Sequence, residues 1–251
     1  MMLSQELEKI TDESNISWSA YHVENSTQTC DGQNVQMISS LLPLFYEVAH
    51  TEAMICHSMK VVQRAVKHVN RNQIPVIAMD QPLFTLAKQI QWSLPSKFGE
   101  DQFVIMFGGL HIEMAVLKVI GDLLTDSGWT SALVEAGIAS SGTADSLLKA
   151  SHVTKTRRAH QVTAASLYAL LKKAYFESGI DEESSTSLEK WCNRKKDESP
   201  QFKFWYQILH LEIDMLILIR SIRDSDFSLY KESLTRIVPW FFALDSSNYA
   251  R

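Results

Sequence analysis

Two short apolar runs stand out in the first half of the chain. One covers residues 74–79 (IPVIAM) and the other covers residues 103–107 (FVIMF). Both are short, rich in β-branched or aromatic residues and bounded by polar or glycine-containing segments, which is the pattern of a buried strand. Between them, apolar residues recur at helical spacing after Pro82, and proline suits the first turn of a helix. This strand–helix–strand order predicts two parallel strands.

The rest of the hydrophobic pattern is helical. Apolar residues recur at helical spacing across residues 37–69, which predicts a helix that is either continuous or broken near Pro43. A further helix follows the second apolar run and ends near residue 125. Helices of different lengths are predicted beyond that point, whereas the start of the chain is polar. The sequence therefore predicts a polar leader (1–36), an α/β portion (37–125) and a helical portion (126–251).

Composition narrows the class of protein. The net charge of −5 gives no overall basic signature for nucleic acid, so any DNA contact requires a local patch. Three cysteines without a CxxC pair exclude a zinc site of the usual spacing and favour reduced thiols inside the cell, in the nucleus or cytoplasm. The most apolar helical stretch, ILHLEIDMLILI, is short and carries two acids, which argues against a membrane span.

Asp80 and His111 follow the two predicted strands. Asp80 ends the first run, and His111 comes after a Gly-Gly turn at the end of the second. Sites in open α/β sheets form outside the carboxyl ends of the strands, so both residues are candidates for chemistry. Asp80 is also well placed as the N-cap of the following helix. The sequence leaves three roles open for Asp80: a helix cap, a metal ligand, or an acid–base partner of His111.

Two further acids lie on predicted helices. Glu212 is surrounded by apolar residues at helical spacing, and a carboxylate in that setting needs a partner, a metal ion or a proton. A structural partner such as an arginine is the plain alternative to a catalytic role. Glu113 also points towards an apolar face, but we interpret it as a first-turn acid that the helix dipole favours.

A cluster of positive charge occurs in the segment TKTRRAH at residues 154–160. Lys155, Arg157 and Arg158 would lie at the start of a helix, where cations are usually unfavourable. They form either a solvated face or a patch that contacts the phosphates of DNA.

Three long motifs resemble a family of uncharacterised animal proteins that derive from transposable elements. These motifs are IPVIAMDQPLFTLAKQIQW, FGEDQFVIMFGGLHIEMAVLKVIGDLLTDSGW and EAGIASSGTADSLLKASHVTKTRRAHQVTAASLYAL, and the resemblance covers most of residues 37–251. The order of Asp80, a helix, a second strand, a small-residue turn and His111 is also distantly similar to hAT-like transposases.

This second resemblance implies a fold and a chemistry. The chain would hold a fragment of an RNase H-like fold, with a large helical insertion or C-terminal part beyond residue 125. Asp80, His111 and Glu212 would be the catalytic residues, Asp80 a metal ligand, and Mg²⁺ the cofactor of an active enzyme.

The chain departs from that pattern in one respect, because no acid-bearing strand is visible before residue 37. Two-metal phosphoryl transfer needs several carboxylates around the ions. The resemblance therefore implies a remnant of a nuclease domain that is inactive by itself. The alternative is a helical scaffold or interaction protein, domesticated from a transposable element and without catalysis.

Overall fold

The structure is a computed structural model that describes residues 41–42, 44–178 and 187–246. The predicted leader (1–36) lies outside the described residues. The described chain is mostly helical, with two short strands. In chain order its elements are α1 (Glu52–Val69), β1 (Val76–Met79), α2 (Gln81–Ser93), α3 (Pro95–Phe98), β2 (Val104–Phe107), α4 (Gly109–Leu124), α5 (Trp129–Glu135), α6 (Ser141–Leu148), α7 (Val153–Glu177), α8 (Leu188–Glu198), α9 (Pro200–Arg223) and α10 (Phe227–Ala243).

The two strands pair in parallel, as the strand–helix–strand pattern predicted. Val76 lies opposite Val104, and the register runs to Met79 opposite Phe107. Ile105, on one face of the sheet, is buried against α1 and α2, whereas the valines of the first pair are exposed. The sheet is therefore covered on one side, and its carboxyl edge carries the residues that follow β1 and β2.

Helix α1 is shorter than predicted. It begins at Glu52 rather than at residue 37, because the Thr51 hydroxyl accepts a hydrogen bond from the Met54 N–H at 3.3 Å and caps the helix there. The preceding residues 44–50 are not helical, although their apolar side chains match a helical period. Periodicity predicts a helix only where the apolar face is buried, and Leu44 is exposed.

Two hydrophobic clusters organise the described chain. The first, which we call the α/β cluster, joins α1, α2 and the sheet. The second, the helical cluster, is larger and contains residues of the four helices from α4 through α7 and of α9 and α10. The buried members of the α/β cluster are Ile55, Met59, Ala87, Ile90, Phe98, Phe103 and Ile105. Fully buried members of the helical cluster include Val116, Leu117, Ile120, Met215 and Leu218.

A close helix crossing supports the helical cluster. A Cβ atom at Gly121 of α4 would lie 2.0 Å from the Leu148 carbonyl oxygen at the end of α6, so this position accepts only glycine. Within the described ranges, none of the helices is long and apolar enough to cross a membrane.

Candidate functional site

Asp80 caps helix α2. Its carboxylate accepts a hydrogen bond from the Leu83 N–H at 3.1 Å, and Pro82 occupies the first turn of the helix. A bond of this kind satisfies an N–H group that has no partner within the helix. The cap is therefore observed, and metal ligation by Asp80 stays a prediction.

His111 lies at the same edge of the sheet as Asp80. The Gly108 N–H donates to the Met79 carbonyl at 2.8 Å, which brings the end of β2 beside the residue that precedes Asp80. A Cβ atom at Gly108 would lie 3.3 Å from His111 Cδ2 and 3.4 Å from the Met79 carbonyl oxygen. The structure thus brings two of the three predicted catalytic residues to one edge, where both are partly exposed.

Glu212 lies elsewhere, inside the helical cluster. Its side chain is completely buried, as predicted, and its Oε1 lies 2.7 Å from Nδ1 of His160, which is also completely buried. The partner is a histidine and not the arginine that we considered. Burial raises the pKa of the Glu212 carboxyl, and the neighbouring His160 opposes that shift. Glu212 Oε2 has no hydrogen-bond partner among the described residues, which is consistent with the strong desolvation.

The three predicted catalytic residues do not converge. Across the described ranges, no three His, Cys, Asp or Glu side chains are placed to hold a metal ion together. Asp80 and His111 border the sheet, whereas Glu212 is enclosed between helices. Of the two acids among these predicted catalytic residues, only Asp80 lies at the sheet edge.

Glu113 forms a largely buried ion pair with Arg157. Its carboxylate accepts two hydrogen bonds from Arg157, from Nε at 2.5 Å and from Nη2 at 2.7 Å. Our interpretation of Glu113 as a first-turn acid is wrong, because α4 begins at Gly109 and Glu113 falls beyond its first turn. The hydrogen bond from Arg157 to Glu113 raises the pKa of that guanidinium, which stays charged.

This pairing divides the predicted nucleic-acid patch. Arg157 is directed at Glu113 and is only 20% exposed, whereas Lys155 and Arg158 are exposed on the first turns of α7. The helix starts at Val153, so the cations do lie near its N-terminus, as predicted. Contact with DNA stays a prediction, and two of the three residues are free to make it.

The sequence analysis missed the network around His160. Its ring stacks on Trp129 with centroids 5.0 Å apart, and Trp129 Nε1 donates to the Thr163 hydroxyl at 2.8 Å. That hydroxyl donates in turn to the Ala159 carbonyl at 2.9 Å. One signal was present: His160 lies one turn after Thr156 and one turn before Ala164, on a stripe of small residues that suits burial.

One comparison with known proteins gives a family. The model of the family described as "Domain of unknown function (DUF8702)" matches residues 17–193, which is more than half of the chain, and the chain therefore belongs to that family. The match ends before α9, so Glu212 lies outside it and His160 lies inside it. No curated protein and no solved structure matches the chain.

Proposed function

We propose that this member of the DUF8702 family is the remnant of a transposase-like nuclease domain, with no DNA-cleaving activity by itself. The parallel strand–helix–strand unit supports the likeness to an RNase H-like fold. So does the position of Asp80 and His111 at the carboxyl edge of the sheet, where α/β proteins place their sites. In this proposal the chain acts inside the cell, in the nucleus or the cytoplasm.

The buried Glu212–His160 pair is the main support for the absence of DNA cleavage in this proposal. A two-metal site holds its ions about 3.5–4 Å apart between several carboxylates. Glu212 is fully buried with its own partner, and one Asp80 oxygen already caps a helix. Mg²⁺ binds through several oxygen ligands in near-octahedral geometry. With Glu212 enclosed elsewhere, the predicted residues bring one carboxylate to the edge beside His111, which is a poor match for that requirement.

DNA binding can persist without cleavage. Phosphate contacts need only cations on an accessible surface, and Lys155 and Arg158 provide two. We therefore expect weak binding that falls steeply as salt concentration rises. Arg157 contributes less in this proposal, because its charge is already balanced by Glu113.

A nicking assay tests the proposal. We expect the 251-residue chain to leave supercoiled plasmid DNA intact in the presence of Mg²⁺ or Mn²⁺. Asp80→Ala serves as the matched variant, and Asp80→Ser retains a capping oxygen while removing the carboxylate. Cleavage by the wild type that disappears in both variants would contradict the proposal and would assign Asp80 to metal binding.

A second function is a helical interaction protein without catalysis. In this alternative, large aromatic side chains that are exposed on several helices of the described chain would contribute to contacts with partners. They include Trp92 (72% exposed), Phe227 (66%), Phe176 (64%) and Phe242 (62%).

DNA binding separates the two functions. In a gel-shift titration, salt-sensitive binding that weakens in Lys155→Glu and Arg158→Glu would favour the nuclease remnant. An absence of binding at low salt would favour the interaction protein.

A further inference from the structure

An apolar cleft of about 670 Å³ lies between α5, α7 and the first half of α9. Its floor is deep in the molecule, since Trp129 and Leu209 are only 4% and 3% exposed. Its rim opens to solvent, where Leu170 is 62% exposed and Ile138 is 44% exposed. The cleft is therefore both accessible and concave. Neither Asp80 nor His111 lines it.

The cleft is lined without charge. Among the residues that line it there is no Asp, Glu, Lys, Arg or His. Aromatic and aliphatic side chains form most of the surface. The polar groups are neutral. They are the indole N–H groups of two tryptophans and the hydroxyl or amide groups of Ser127, Thr163, Ser166, Ser199, Gln201 and Tyr206.

The floor of the cleft is held in place by the buried polar network. Trp129 forms part of this floor, and its indole ring is fixed by stacking on His160 and by the hydrogen bond from its Nε1 to Thr163. His160 is fixed in turn by Glu212. A surface supported in this way keeps its shape before a ligand arrives, which lowers the ordering cost of binding.

We propose that this cleft is a binding site for a small, uncharged and mostly apolar molecule. The volume falls within the ~300–1,000 Å³ that is typical of small-molecule sites. An apolar lining with a few polar groups is also typical of such sites. A charged ligand would lose its hydration without meeting an opposite charge. A small molecule also fits the shape of the cleft, whose floor is buried at Trp129 and Leu209. The site does not depend on the proposed nuclease ancestry.

A dye-binding titration tests this proposal on the 251-residue chain. The probe is Nile red, a neutral dye whose fluorescence increases in apolar surroundings. We expect saturable binding of one dye per chain and displacement by 1-dodecanol at a concentration at least tenfold lower than that required of dodecanoate. Dye binding that does not saturate, or that 1-dodecanol does not reduce, would overturn the site. Equal displacement by the two competitors would overturn the assignment of an uncharged ligand.

A matched pair of variants on α7 locates the binding. Ser166 lines the cleft, and its neighbour Ala165 does not; both are exposed, so neither substitution disturbs the core. Ser166→Trp should fill the cleft and weaken Nile red binding at least tenfold, whereas Ala165→Trp should change it less than twofold.

A second substitution, Ala174→Trp, fills the other end of the cleft and replaces Ser166→Trp if that variant fails to fold by circular dichroism. Equal effects of the cleft variants and Ala165→Trp would place the dye elsewhere and overturn the proposal.

Discussion

The α/β cluster and the helical cluster differ in what they bury. Against the α/β cluster the buried polar side chain is the neutral Gln91, whose Nε2 donates to the Phe103 carbonyl at 3.0 Å. The helical cluster instead encloses ionisable pairs, one of which is formed by His160 and Glu212. Asp80, the acid beside the α/β cluster, makes a local contact instead, because its carboxylate caps the start of α2. An acid on an apolar helix face therefore indicates a buried partner side chain far away in the sequence as much as it indicates a catalytic role.

The largest expected effect lies in the helical cluster. Glu212→Ala should lower the free energy of unfolding by about 3–5 kcal/mol, because it leaves His160 buried without a partner and opens a cavity. Urea denaturation at neutral pH measures the loss. Replacing both residues together, with His160→Leu and Glu212→Leu, should recover most of it, since a buried pair can be exchanged for apolar side chains at little cost. A loss below about 1 kcal/mol in Glu212→Ala would show that the pair contributes little.

The Arg157–Glu113 pair should matter less, because Arg157 is partly exposed. Arg157→Met should cost roughly 2–3 kcal/mol through the carboxylate that it leaves unpaired. The adjacent and exposed Arg158→Met should change stability by less than about 0.5 kcal/mol. In a DNA gel shift the order should reverse, with Arg158→Met weakening binding more than Arg157→Met. Equal effects of the two variants in both measurements would remove the distinction between a structural and a solvated arginine.

The pH dependence of stability should carry the signature of Glu212. Burial raises the pKa of its carboxyl above the ordinary 4.5. The folded chain then keeps this proton at pH values where the unfolded chain has lost it. The stabilising contribution is present below the unfolded pKa and is lost as the pH rises through the folded one.

The matched variant for this effect is Glu212→Gln, which keeps the volume and an acceptor for His160. The stability of wild type relative to Glu212→Gln should fall as the pH rises above the ordinary value of 4.5, as measured by urea denaturation at several pH values from there upwards. A constant difference across that range would mean that Glu212 titrates alike in both states.

The smallest effect belongs to the α/β cluster. Asp80→Ala should cost about 1 kcal/mol, the usual value for a lost N-cap, and Asp80→Ser should restore most of it. Thermal unfolding of the three proteins without divalent cations measures the series. A stability gain on adding Mg²⁺ to wild type, absent in Asp80→Ser, would indicate a bound ion instead.

Local signals explain what the sequence predicted well. The two short apolar runs predicted the parallel strands, and the Asp-x-Pro order made the observed cap on α2 one of the roles left open for Asp80, because each depends on residues close together in the chain. The burial of Glu212 followed from its apolar neighbours on one helix. Its partner did not follow, because His160 is 52 residues away and the chain contains several other histidines.

The same reasoning applies to Glu113, whose partner lies 44 residues away. Whether Glu113 falls in the first turn depends on where α4 begins. The first residue of a helix is hard to predict from sequence when the N-cap is a glycine such as Gly108, which has no side chain to cap the helix. The apolar cleft was also beyond prediction, since its walls come from three helices that are separated along the chain.

The separation of His160 from Glu212 also sets the order in which the protein can be completed during synthesis. Helices α4 and α7 leave the ribosome first, and α9 follows. At roughly 5–20 residues per second, the 52-residue interval corresponds to roughly 3–10 s. Throughout that time the faces of α4 and α7 that α9 later covers remain open, with the His160 ring among them. Until α9 emerges, this apolar surface is open to the non-native contacts that lead to aggregation.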